Sequence, residues 1–239
     1  MLSRMPEILA DHALHPSQLY RLMAWLSPSF PVGAFSYSSG LEWAVETGDV
    51  TDAATLQRWL RTVVAHGNGF CDGVFFAQAY RAVAASEEAR LREVAELAAA
   101  FTPSKERQLE TTAQGRAFLQ TVRAAWSCDA LEKFAGEWDG AVAYPVAVAV
   151  AAVGHSIPLE PALHAYLHAV VANLVSAGVR LIPLGQTDGQ RLLAALQELI
   201  HETSGRALLA TLDDLGSAAF RADLASMRHE SQYTRLFRS

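Results

Sequence analysis

Apolar residues recur at steps of three and four along most of the chain, the spacing of one helix face. In "SQLYRLMAWL" Leu19, Leu22, Met23 and Leu26 fall on one side. A second stripe holds Leu56, Trp59, Leu60, Val63 and Val64, with Thr51 or Asp52 placed to cap it. Ser86 before Glu87 and Glu88 reads as a helix start, with acids favoured in the first turn. Thr102 followed by Pro103 reads as another: a capping hydroxyl, then proline at the first helical position. Pro158 and Pro161 open a long segment through "ALHAYLHAVVANLVSAG", with Gly178 as its expected C-cap. Strand-like alternation of Val, Ile and Thr is scarce.

From Gly140 to Val179 the only formal charge is Glu160. A helix apolar on nearly all sides is one surrounded by others. Two buried central helices are therefore expected, Ala141 to Val153 and Glu160 to Ala177, with outer helices around them. No linker rich in Gly, Pro or Ser divides the chain, and no repeat is visible. The expected fold class is all-α, a single-domain bundle over 1–239 of roughly nine to eleven helices of ordinary length. Residues 1–16 are expected to be a mobile N-terminal segment.

Composition narrows the function classes. The chain has 239 residues, 51% hydrophobic and 18% charged, enough to bury a core without disulfide or metal staples. A net charge of −6 argues against a general nucleic-acid binder. Cys71 and Cys128 do not make a disulfide framework, which fits a reduced, cytosolic setting. The opening "MLSRMPEILADHALHP" carries Glu7 and Asp11 and no continuous apolar run, so no signal peptide is read there. The apolar run "AVAYPVAVAVAAVG" is too short to span a bilayer and contains Pro145, so no membrane span is expected.

Motifs for phosphate cradles, dinucleotide loops, nucleophile elbows and zinc helices are missing, and no glycine precedes a lysine. No catalytic residue, cofactor or metal set is assigned. His164 and His168 share one helix face at the spacing of two imidazole ligands. They carry the alternative reading, a metal-assisted hydrolase, which lacks its remaining ligands.

Three stretches exceed what packing requires. "SPSFPVGAFSYSSGLEWAVETG", Ser27 to Gly48, holds an extended chain at Pro28 and Pro31, a turn at Gly33 and aromatics Phe30, Phe35 and Trp43 expected to pack inward. Ser39 and Glu42 fit a capping box at a helix start. "LIPLGQTDGQRLLAAL" offers a second box in Thr187 and Gln190, and leaves Gln186, Arg180 and Arg191 unexplained. "MRHESQYTRLFRS" interleaves Arg228, Arg235 and Arg238 with Tyr233, Leu236 and Phe237, residue types enriched in binding hot spots. This segment either folds back on its own domain or orders on a partner.

In this order and spacing, the three stretches resemble the UreF family of urease accessory proteins, from about Leu19 to Ser239. The resemblance implies an all-α homodimer with no catalytic centre. It implies a complex with the UreD (or UreH) accessory protein that recruits the nickel-carrying GTPase UreG. Together these would deliver nickel to apo-urease, in the cytoplasm, with GTP hydrolysis coupled to delivery. The matching motifs place Tyr37, Ser38 and Glu42 in a partner-binding loop and helix start. They place Gln186 and Gln190, flanked by Arg180, in a second partner-binding element. Tyr233, Arg235, Leu236 and Phe237 fall in a partner-binding tail, 229–239. Family members often carry a histidine near the first central helix, where this chain has Ala143.

Overall fold

The structure is a computed structural model that describes residues 14–239. The expected mobile segment lies almost wholly outside the described residues, and Pro16 already begins a helix. In chain order the helices are α1 (Pro16–Trp25), α2 (Leu41–Glu46), α3 (Ala53–His66), α4 (Asn68–Ala84), α5 (Glu88–Ala100) and α6 (Lys105–Ala125). Then come α7 (Asp129–Glu137), α8 (Tyr144–Gly154), α9 (Leu159–Leu181), α10 (Gln186–Leu209) and α11 (Phe220–His229). The all-α expectation holds among the described residues.

The first central helix is enclosed as its composition predicts. Every residue of α8 from Tyr144 to Ala152 is buried. It lies chiefly between α4 and α6, with α7 and α9 at its flanks. Pro145 costs nothing, because it falls in the first turn where no intrahelical donor is required.

The second central helix differs. Ala162, Leu163, Tyr166, Leu167, Val171, Leu174 and Val175 of α9 face the core. Its other side carries exposed His168 and Ser176 and half-buried His164, Ala169, Ala172 and Asn173. α9 is long and apolar enough to cross a membrane, but half of its apolar window is already buried against neighbouring helices. Gly178 does not end it. The helix runs three residues further, and Gly178 instead accommodates the Leu56 side chain of α3, which fills the space of a Cβ.

Local capping decides some ends and not others. Asp52 caps α3, its Oδ1 accepting from Thr55 N at 2.8 Å. α5 begins at Glu88, with Ser86 left in a positive-φ turn (58°). α6 is capped by Ser104, two residues after the expected Thr102; its Oγ accepts from Arg107 N at 3.1 Å. Ser104 Oγ also lies 2.6 Å from Ser226 Oγ of α11, a tertiary contact that pins this end.

Candidate functional site

The loop before α2 is built by backbone geometry. Gly33 (φ 73°) starts a short 3-10 turn at Ala34–Ser36, and Tyr37 leaves it extended. Ser39 (φ 54°) and Gly40 (φ 80°) then both adopt the left-handed conformation. Ser39 takes it against its preference. At Gly40 no other residue fits, because a Cβ would lie 2.6 Å from Ser226 N on α11.

The double left-handed turn cancels the expected capping box. Ser39 Oγ swings away to α6, donating to Glu110 Oε1 at 3.2 Å and accepting from Arg107 Nη1 at 3.1 Å. Glu42 does not reach back to Ser39. Its carboxylate turns to the tail, where Oε1 accepts from Leu236 N at 2.6 Å and Oε2 from Phe237 N at 3.0 Å. The amide of Glu42 donates instead to Ser38 Oγ at 3.3 Å.

The tail after α11 thus folds against its own domain. Ser38 N and Oγ both donate to Ser239 O, at 2.8 and 2.5 Å. Arg238 N donates to Ser36 O at 2.8 Å, and Ser239 Oγ to Glu110 Oε2 at 2.7 Å. Arg235 Nη1 donates to Glu106 Oε1 at 2.6 Å. Phe237 is 5% exposed, with the Arg180 guanidinium of α9 at 4.4 Å from its ring centre. His229, at the end of α11, is 0% exposed and sits between Glu42 Oε2 (3.0 Å) and Glu106 Oε2 (2.6 Å).

One assembly therefore joins Ser38, Glu42, Arg180, Arg235 and Phe237. Tyr37 is only 4% exposed, so it supports the loop from within; its carbonyl accepts from Asn173 Nδ2 at 3.5 Å. On this loop and tail Phe35, Tyr233 and Leu236 are exposed apolar residues. Phe35 was expected inside, but only Phe30 of the pair is buried, against Phe118 at 5.4 Å. Gln186 and Gln190 stand apart on the exposed face of the α10 start. The Thr187–Gln190 box does not form, because the helix begins two residues earlier and Asp188 Oδ2 accepts from Gly185 N at 3.2 Å.

Beneath the loop, a cavity of about 740 Å³ opens along the outer side of α9. Asp72, Arg107, Glu110, Tyr144 and Tyr166 line its inner end, and His164, His168, Asn173 and Gln190 its outer part. Burial pushes the Asp72 carboxyl from 3.8 up to about 6, against the pull of Arg107 and of the Tyr166 hydroxyl, which donates at 3.2 Å. Glu110 accepts a 2.5 Å ion pair from Arg107.

His164 and His168 meet a third ring, His201 of α10, 6.2 Å from His164 between centres. Burial, then His201 and His168, lower the His164 imidazole below its ordinary value. Among the described residues no three His, Cys, Asp or Glu side chains are placed to hold a metal ion. The hydrolase alternative gains no further ligand from this geometry.

Arg107, Glu110, Glu106 and His229 escaped the sequence reading. A signal was present: "KERQLE" puts Glu106 and Glu110 one turn apart on a helix that buries Arg107, Glu110 and Gln114.

Comparison with known proteins places these features in a lineage. The UreF family model matches residues 50–197. A urease accessory protein UreF from Rhodopseudomonas palustris (strain HaA2) is 65% identical over 237 residues, covering 98% of this chain and 100% of its own. One from Bradyrhizobium diazoefficiens is 63% identical over 227 residues, covering 95% of this chain and 94% of its own. Another from Bradyrhizobium sp. (strain ORS 278) is 62% identical over 221 residues, covering 92% of each.

Proposed function

Because the chain belongs to the UreF family of urease accessory proteins, we propose that it is a non-enzymatic assembly factor in urease maturation. It binds the UreD/UreH accessory protein through its tail, recruits the GTPase UreG, and modulates GTP hydrolysis while nickel is inserted into apo-urease. It acts in the cytoplasm, as a homodimer. Nickel is cargo in this reading, and the chain needs no resident cofactor.

The observation that carries the proposal is the clasped tail. Phe237 is sunk beneath Arg180 while its neighbour Leu236, together with Tyr233 and Phe35, projects outward. Apolar and aromatic side chains held outward on a fixed backbone lose little freedom on binding, which favours docking. Ser38 and Glu42 act from within as anchors of that surface, and Tyr37 as the support of its loop. Gln186 and Gln190 offer a second, separate contact at the exposed start of α10.

The test is co-purification with UreD/UreH and UreG. Removing Gln232 to Ser239 is expected to abolish capture of UreD/UreH while helicity is retained. Undiminished capture by the truncated chain would refute tail docking.

A further inference from the structure

We infer that His229 is the positioning residue of the tail, and that it acts only as a doubly protonated imidazolium bridging Glu42 and Glu106. The inference deepens the docking reading and rests on it for its consequence, though not for its geometry.

Both ring nitrogens of His229 face carboxylate oxygens, at 3.0 and 2.6 Å, in a site closed to solvent. Carboxylates only accept, and a neutral imidazole carries one N–H. A neutral ring would turn a bare lone pair towards one of the two carboxylates. The imidazolium donates to both, in charge-assisted bonds. Charge then balances: Glu42 and Glu106 against His229 and Arg235, with Arg235 on Glu106 Oε1.

Each carboxylate also grips the tail. Glu42 holds the backbone amides of Leu236 and Phe237, and Glu106 holds the Arg235 side chain. The ring thereby fixes both hands of one clasp. Without its second proton, two buried carboxylates keep one cation between them, and the tail loosens.

The charged groups facing the ring come from every packed element: Glu42 from α2, Glu106 from α6 and Arg235 from the tail. Glu230, next in sequence, turns away to cap α6 through Lys105 N at 2.9 Å. Arg107 and Glu110 pair with each other and with Ser39 in the adjoining layer.

The test uses the full chain alone, labelled with nitrogen-15, so failure of partner docking does not enter it. Ring nitrogen shifts report protonation of His229, and amide exchange reports the tail. Both ring nitrogens are expected to be protonated in the folded chain, with the Leu236 and Phe237 amides protected. His229→Gln should lower the two protection factors at least about tenfold, the scale of one charge-assisted bond, leaving α8 amides unchanged.

Glu106→Gln is the second variant, because an amide at that position can donate to a neutral ring. It should show one bare ring nitrogen and keep the Leu236 and Phe237 protection. A wild-type ring with one bare nitrogen in the folded chain would overturn the inference. So would a His229→Gln chain with undiminished protection, or a Glu106→Gln chain whose ring stays doubly protonated.

Discussion

Asp72 lies at the inner end of the cavity with the Tyr166 hydroxyl as its donor, and burial raises its carboxyl from 3.8 to about 6. A raised carboxyl binds its proton better in the folded chain. Its contribution to stability is therefore complete below 3.8 and lost as the pH rises through about 6. Asp72→Asn keeps an acceptor for Tyr166 and removes the buried charge. Discounted for solvent reaching the cavity, the gain is about 1–2 kcal/mol at neutral pH. Thermal melts at neutral and strongly acidic pH should show the gain at the first and none at the second. At this scale the sequence is partly legible. Ser39 and Glu42 stand out by spacing, but they look like partners of each other. Their real partners lie 68 to 195 positions away, in Arg107 and Phe237. The left-handed Ser39–Gly40 turn that redirects them is forced by the nearness of α11, which no local pattern records.

The clasp between α2, α11 and the tail divides its residues into those that hold and those that project. Phe237→Ala removes a buried ring and should destabilise the chain by about 1.5–3 kcal/mol, measured by denaturant titration. Arg235→Ala breaks a pair whose cation is 39% exposed, so the folded chain should lose less than about 1 kcal/mol. Its larger effect is expected on complex formation with UreD/UreH, above about 1 kcal/mol by calorimetric titration. Equal effects on both quantities would deny this division. Helix existence was readable from apolar spacing at α3, whose Leu56, Leu60, Val63 and Val64 are buried; at α1 the helix forms but the expected face does not, since Leu19 and Met23 are exposed and Leu22 and Trp25 buried. Helix ends were readable where the cap is local, as at Asp52. They were not readable where a tertiary contact overrides the local signal, as Ser226 does in holding Ser104 two residues past Thr102, or Leu56 in occupying the expected stop at Gly178.

Over the whole molecule, the lone charge between Gly140 and Val179 foretold that α8 would be enclosed. The same pattern could not separate α8 from α9, because an uncharged helix face can meet either the core or a second subunit. The open side of α9 is rich in small residues between Glu160 and Arg180 at its two ends, and the proposed homodimer would use it. His168→Glu places a charge there at an exposed position. Light scattering should then show monomers where wild type gives dimers, with the melting temperature of the monomer unchanged. The clasp bears on how the chain is made. Ser38 meets Ser239, 201 positions later. At about 5–20 residues per second of synthesis, the loop waits roughly ten to forty seconds for that partner. During that interval Ser38, Glu42 and Glu110 face water, and α2 has no α11 to rest on. The surface proposed to bind partners is thus finished only after the helices it rests on are made, so a nascent chain that stops short of Ser239 cannot close the clasp.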